Sequence, residues 1–422
     1  MTFLEDQDFS EIELIPDYYK GKTIFITGGS GFLGKALTEK LLHSCPGLDR
    51  VYLLLRTKRG LAPHERLAAL YSQPVTPVDS YIIALNLSNG ISEEDRTLLI
   101  NRTNIIFHSA ASVRFDDTLQ AAFNLNVRGT IEMINLAKEM TQLESFVHVS
   151  TSYSNTSRDV IHERMYPALA DWRELLDICD STDPHVLILG QMPNTYVFTK
   201  QLAEHVVYEQ KGQIPIVIAR PSIASLSEPI PGWVDNFNGP TGILVAGIES
   251  HQSPAFMIFQ VSSELFTRTL KSSPTTYQSM WSSKVLLYHF VPAILVDILL
   301  RILGKKPMLL KIQRRIYTAN IALEYYLTRQ WTFDNTNFVD LRSKIKPDDK
   351  ELFFYSFEDI DAVAFYKACI TTSRKFLLNE TEEDLPKAKK IYRRYSFSKL
   401  HRNVLLRQYY VCKKEIFIIK RS

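Results

Sequence analysis

Thr27-Gly28-Gly29-Ser30-Gly31-Phe32-Leu33-Gly34 is the stretch on which the fold turns. It follows a short apolar run, Thr23-Ile24-Phe25-Ile26, and leads into an apolar-periodic segment, Lys35 to Leu42. That order predicts strand, tight turn and helix. Gly28 permits the turn. Gly31 lets backbone approach a pyrophosphate with no Cβ in the way, and Gly34 lets the helix sit close on the strand. The helix N-terminus then offers N–H groups to phosphate oxygens. Glycines at this spacing also mark plain turns; between a buried-type strand and a helix they favour a dinucleotide site.

The second strand, Val51-Tyr52-Leu53-Leu54-Leu55, ends at Arg56, followed by Thr57, Lys58 and Arg59. An NAD site usually carries an acid here for the ribose 2′-OH. Positive charge instead suits a 2′-phosphate and predicts NADP(H); the alternative is a solvated basic loop. Ile105-Ile106-Phe107-His108-Ser109-Ala110-Ala111 reads as a strand ending in small residues where a ligand can approach. Asn124 to Thr130 reads as the start of a helix, and Phe146-Val147-His148-Val149-Ser150-Thr151 as a strand ending in two hydroxyls. Alternating strands and helices predict an α/β, Rossmann-type doubly wound parallel sheet with helices on both faces.

Tyr196-Val197-Phe198-Thr199-Lys200 supplies the chemistry. Positions four apart share a helix face. A nearby ammonium favours the phenolate and is expected to lower the Tyr196 pKa. Tyr196 can then protonate a carbonyl oxygen as hydride reaches the carbon, with Thr151, or as the lesser candidate Ser150, bonding the same oxygen. The spacing alone says little: with 20 tyrosines in the chain, about one Tyr-x-x-x-Lys arises by chance. The order carries the signal: glycine turn, then a strand ending in Ser/Thr, then Tyr and Lys.

That order resembles the extended short-chain dehydrogenase/reductase superfamily, and within it the alcohol-forming fatty acyl-CoA reductases. The resemblance rests on TGGSGFLGKALTEKLL (Thr27 to Leu42), VYLLLR (Val51 to Arg56), FHSAASVRFDDTL (Phe107 to Leu119) and NVRGT (Asn126 to Thr130). It continues through FVHVSTSYSN (Phe146 to Asn155), ARPSIA (Ala219 to Ala224), EPIPGWVDNFNGPTG (Glu228 to Gly242) and GKKP (Gly304 to Pro307). It implies NADPH held in an N-terminal domain and two-step reduction of a long-chain acyl-CoA to a fatty alcohol through an aldehyde. By the same resemblance Thr27, Gly28, Ser30, Gly31, Phe32 and Gly34 bind the cofactor. Arg56 and Asn86 serve its adenosine end, and Ala110, Pro221 and Lys200 complete the set. Tyr196, Lys200, Thr151 and Ser150 form the catalytic group, with Lys200 on the nicotinamide ribose. The chain departs from the family pattern in three places. It has Leu85-Asn86 where relatives carry Gly-Asp after a longer insertion. It lacks a block after Gly247. Its end, Tyr409 to Lys420, has no apolar run of spanning length. Two other readings stand beside the leading one: a reductase of a sterol or free aldehyde, and a shortened, catalytically silent membrane-associated relative.

A chain of 422 residues allows two domains. The expected division is a nucleotide-binding domain over 20–255 and a mostly helical domain over 256–422. Phe259 to Leu270, Val285 to Leu303 and Leu309 to Tyr326 show helical apolar spacing. From Lys387 to Ser422, 12 Lys/Arg stand against one acid, Glu415. The rest of the chain, with 37 of the 49 basic and 45 of the 46 acidic residues, is net −8. The basic end suits an anionic membrane surface or a solvated helix, and nucleic acid is not an expected partner. Val285 to Leu300, broken by Pro292 and Asp297, is either a buried helix or one lying in a membrane interface, with Lys305, Lys306 and Lys311 on headgroups. Cys45, Cys179, Cys369 and Cys412 are scattered, so neither a disulfide framework nor a metal site is expected. His108 and His148 are expected to be satisfied core or cleft residues. No signal peptide is read at the N-terminus. The resemblance implies the cytosolic face of an intracellular membrane: peroxisome, endoplasmic reticulum or lipid droplet. The sequence leaves the oligomeric state open.

Overall fold

The computed structural model describes residues 13–57, 60–71, 82–86, 90–180, 192–222, 232–233, 290–304, 306–307, 309–311, 313–314, 325–326, 329–353, 361–377 and 381. They gather into two compact units. One holds the described residues up to 222 with those between Tyr325 and Phe353, and the other those from 232 to 314 and from 361 to 381. Residues 325–353 fall in the expected helical domain, yet they gather with the nucleotide-binding end.

The first unit runs α1 (Ile15–Tyr18), β1 (Thr23–Thr27), α2 (Phe32–Ser44), β2 (Arg50–Leu55), α3 (Pro63–Tyr71), β3 (Ile82–Asn86), α4 (Glu93–Arg102) and β4 (Ile105–His108). It continues α5 (Leu119–Phe123), α6 (Gly129–Glu139), β5 (Ser145–Val149), β6 (Val160–Ile161), α7 (Trp172–Asp180), α8 (Thr195–Tyr208) and β7 (Ile216–Ala219). The chain adds α9 (Val291–Ile302) in the second unit, β8 (Thr332–Phe333), α10 (Thr336–Ser343) and α11 (Pro347–Leu352) back in the first, and α12 (Ala362–Leu377) in the second. The main sheet is ordered β3-β2-β1-β4-β5-β7, and every pairing in it is parallel. This is the doubly wound arrangement expected from the sequence. The order reverses between β1 and β4, which opens a crevice at their carboxyl ends.

All five residues of β1 are buried, as a parallel strand covered on both faces requires. Phe25, Tyr52, Ile106 and Phe146 pack on the face shared with α4, α6 and α8. Ile24, Ile26, Leu53 and Ile105 pack on the other, against Leu41 and Cys45 at the end of α2. The returning segment pairs β8 with β6, Val160 with Thr332 and Ile161 with Phe333. The Asp349 carboxylate accepts from the Ile15 amide at 2.9 Å.

The helix expected from Asn124 begins earlier, at Leu119. Thr118 caps it, its hydroxyl accepting from the Ala121 amide at 3.2 Å. A turn of π-helix over Asn124–Arg128 then separates α5 from α6. A π-turn breaks the 3.6-residue period on which the sequence reading depended.

In the second unit, Ala293 of α9 and Leu309 are buried against each other. The Asp297 carboxylate accepts from the amides of Leu309 and Leu310, each at 2.9 Å. Gly232, at φ +72°, lies so close to α12 that a Cβ would stand 2.4 Å from Cys369 Cα. Phe259 to Leu270 and the basic end lie outside the described residues. Among the described residues, no helix is long and apolar enough to cross a membrane.

Candidate active site

The glycine turn closes the crevice at the end of β1. Gly28 adopts φ +74°, and a Cβ there would stand 2.8 Å from the Ala110 amide nitrogen. The turn thus needs glycine both for its conformation and for the close approach of the loop after β4. A Cβ on Gly34 would meet Gly28 O at 2.3 Å and Gly29 Cα at 2.6 Å. Gly34 therefore lets α2 close on the turn itself, where contact with the strand was expected. Gly31 is the exposed N-cap of α2, and no side chain caps it. Ser30 and Phe32 flank it, half-buried. An uncapped helix start over a tight glycine turn fits a pyrophosphate. Thr27 works from beneath: its buried hydroxyl bonds His108 Nδ1 at 2.8 Å and accepts from the Ala110 amide at 3.2 Å.

Arg56 is exposed just beyond β2. Arg66 of α3, which sequence reasoning passed over, donates to the Arg56 carbonyl. Burial, and then the Arg56 charge, hold the Arg66 pKa below its usual range. Two guanidinium groups therefore share this corner. The sequence signal was an arginine in the first turns of the helix after β2. Lys58 and Arg59 lie outside the described residues. Asn86 ends β3, in register with Leu55.

At the end of β5, the Thr151 hydroxyl lies beside the Tyr196 phenol, close enough to favour its charged form. Thr151 also accepts from the Tyr153 amide at 3.3 Å. Ser150 Oγ is buried with no hydrogen-bond partner. Of the two hydroxyls, Thr151 is the one that meets the phenol. Tyr196 stands on α8, whose first turn Asn194 caps by accepting from the Val197 amide at 3.0 Å. Burial raises the Tyr196 pKa, and the neighbouring Thr151 hydroxyl only partly offsets it. Lys200 adds none of the expected lowering to Tyr196; its ammonium donates to the Val149 carbonyl at 2.6 Å. Burial lowers Lys200 itself to about 8, with Glu204 pulling the other way. Pro221 follows β7 and accepts from the Ser152 amide at 3.0 Å.

The two strand histidines part company. His108 is satisfied: Nδ1 meets Thr27 and Nε2 meets the Thr130 hydroxyl at 3.0 Å. His148, its register partner on β5, has neither ring nitrogen hydrogen-bonded, contrary to the expectation. Burial pushes the His108 pKa down to about 3 and that of His148 well below its usual value, with Lys200 adding to both shifts. Their rings lie 5.5 Å apart.

Three further features escaped the sequence reading. Asn126, on the π-turn, donates to Thr199 Oγ1 at 2.9 Å and accepts from the Ser112 amide at 2.7 Å. It thereby fixes α8 between Tyr196 and Lys200. Arg220, beyond β7, forms a bidentate pair with buried Glu204 at 2.9 and 2.7 Å, and Ser154 donates to the same carboxylate at 3.0 Å. Phe115 lies 5.8 Å from the Tyr196 ring and stacks on Tyr326 at 5.3 Å, which meets Tyr153 edge-on at 5.4 Å. This aromatic wall comes partly from the returning segment. Among the described residues no cluster of side chains could hold a metal ion.

Two family models, both described as Male sterility protein, match residues 26–264 and 288–380. Fatty acyl-CoA reductase 1 of Rattus norvegicus is 32% identical over 457 aligned positions, covering 89% of this chain and 88% of that protein. Since 457 positions exceed the 422 residues of this chain, the relative carries segments that this chain lacks. Fatty acyl-CoA reductase 1 of Homo sapiens is 33% identical, with the same coverage of each. Among solved structures, the terminal R domain of the myxalamid PKS-NRPS pathway aligns at a TM-score of 0.53 and 18% identity, covering 84% of this chain and 91% of that one.

Proposed function

This chain belongs to the fatty acyl-CoA reductase family and is an oxidoreductase, and from that premise we propose that it reduces long-chain fatty acyl-CoA to fatty alcohol with NADPH. The observation that carries the reading is the Thr151–Tyr196 hydroxyl pair, beside the glycine turn at the carboxyl edge of a parallel sheet. Gly28, Gly31 and Gly34, with the start of α2, would hold the pyrophosphate of a nicotinamide dinucleotide, whose chemistry is hydride delivery. Thr27, Ser30, Phe32 and Ala110 shape that turn, and Asn86 and Pro221 border the same edge. Arg56 and Arg66 supply the charge for a 2′-phosphate.

Tyr196 and Thr151 donate hydrogen bonds to the thioester oxygen, where negative charge develops as the carbon is reduced. As the oxyanion collapses the C–S bond breaks, CoA leaves as the thiolate and takes its proton from water, and the aldehyde stays against the same two hydroxyls. After a second reduction at carbon, Tyr196 gives its proton to the alkoxide oxygen. A phenol kept protonated by burial suits that role, so the raised pKa supports donation in the reductive direction. Lys200 is assigned to the nicotinamide ribose. Phe115 and Tyr326 offer an apolar face for the acyl chain beside Tyr196. Long acyl chains partition into bilayers, so the reading includes work at a membrane surface facing the cytosol.

The test is turnover of acyl-CoAs of increasing chain length by purified protein with NADPH, read as fatty alcohol by mass spectrometry. Tyr196→Phe is expected to lower turnover at least ~100-fold with NADPH binding unchanged. Alcohol formed at the parent rate by Tyr196→Phe would overturn the assignment.

A further inference from the structure

The second unit presents a helix whose apolar side points outward. Val291, Ile294, Leu295, Ile298, Leu299 and Ile302 of α9 are all exposed, Leu295 by 61% and Ile302 by 75%. At 100° per residue they share one arc of about 140°. The opposite side is the one that packs: Ala293 is fully buried, with Val296 and Leu309 against it. An apolar stripe turned away from its own core calls for another surface to cover it.

The charges around the stripe say which surface. Arg301, Lys306, Lys311 and Arg314 are exposed at and just beyond the end of the helix. From residue 290 to 314 the sequence has five basic residues and one acid, Asp297. That acid is turned inward, accepting from the amides of Leu309 and Leu310. The outward side is therefore apolar along the helix and cationic at its end. The helix has 12 residues, about 18 Å, against a hydrocarbon core of about 30 Å. It is long enough to lie in a bilayer and too short to cross one.

We propose that α9 docks the chain on an anionic phospholipid bilayer, its apolar stripe sunk to the level of the upper acyl chains and its basic end on the lipid phosphates. The proposal deepens the membrane reading above but rests on no step of the reductase chemistry. Its test therefore needs no turnover, and its failure would leave the reductase reading untouched.

Full-length protein is floated with vesicles of phosphatidylcholine alone and of phosphatidylcholine with phosphatidylserine. The parent is expected to float with the anionic vesicles. The double variant Leu295→Glu/Leu299→Glu should lower the bound fraction at least ten-fold. Arg301→Glu/Lys306→Glu should remove the preference for phosphatidylserine. Both sets of positions are exposed, and circular dichroism checks that the variants fold. Amide exchange over residues 290–304 should slow when vesicles are added to the parent. Equal flotation of the Leu295/Leu299 variant and the parent would overturn the proposal, as would unchanged exchange over 290–304 in vesicle-bound protein. A lipid-free parent dimer that this variant converts to monomer, with flotation unaltered, would assign the face to a second copy of the chain instead.

Discussion

Lys200 sits where a charge is costly: 3% exposed, bonded through Nζ to a single backbone carbonyl. Burial lowers its pKa from 10.5 to about 8, so between those values the unfolded chain binds more protons than the folded one. Stability contributed at this residue therefore rises with pH across that window and is at its lowest below it. Against a Lys200→Met variant, parent stability in urea is expected to gain about 3 kcal/mol between pH 8 and 10.5. A flat difference across that range would mean that the ammonium is well solvated or paired in the folded chain. Tyr196 shows the opposite case, a neutral group kept neutral by burial. The Tyr-x-x-x-Lys spacing places both side chains on one helix face but predicted the Tyr196 pKa direction wrongly, because spacing says nothing of the burial that raises it.

Helix α8 is positioned from both sides. Asn194 caps it through Oδ1 and donates through Nδ2 to the Tyr326 hydroxyl at 3.0 Å. Losing the cap costs about 1 kcal/mol, and losing the second bond about 1 kcal/mol more. Asn194→Ala is therefore expected to destabilise the chain by about 2 kcal/mol in urea. Asn194→Ser, which keeps a cap acceptor on a shorter side chain without the amide that donates to Tyr326, should lose about half of that. Equal losses in the two variants would show that the Tyr326 bond dominates. At this scale the sequence was legible wherever a period or a punctuating residue repeats locally. The run Thr23 to Ile26, the glycine turn and the apolar strand ends all read correctly, because each is a local pattern imposed by a parallel sheet buried on both faces. Asn126 was not legible as a site residue, because its inward position comes from a π-turn that no regular period announces. Arg66 was missed because its nearness to Arg56 follows from how the chain turns between β2 and α3.

On the scale of the whole molecule, the described residues assigned to the cofactor all fall in one of the two compact units. That unit recruits Tyr325–Phe353 from far along the chain, a long-range return that no local pattern in those residues signals. A chain of two units need not unfold in a single step, so ligand effects are best read by location. A ligand that binds only the folded state stabilises it by RT ln(1 + [L]/Kd), about 2.7 kcal/mol at one hundred times Kd. NADPH is therefore expected to slow amide exchange in β1, α2 and β4 and to leave α9 and α12 unchanged. The corner formed by Arg56 and Arg66 adds a direction. A charge-assisted bond to a 2′-phosphate contributes about 1.5–3 kcal/mol, so Arg66→Ala should weaken NADPH about 10- to 100-fold and leave NADH nearly unaffected. The parent would then show a larger thermal shift with NADPH than with the same concentration of NADH, and Arg66→Ala would bring the two shifts together. Equal shifts in the parent would mean that the two guanidinium groups serve the surface of the sheet edge and that the chain does not select the phosphorylated cofactor.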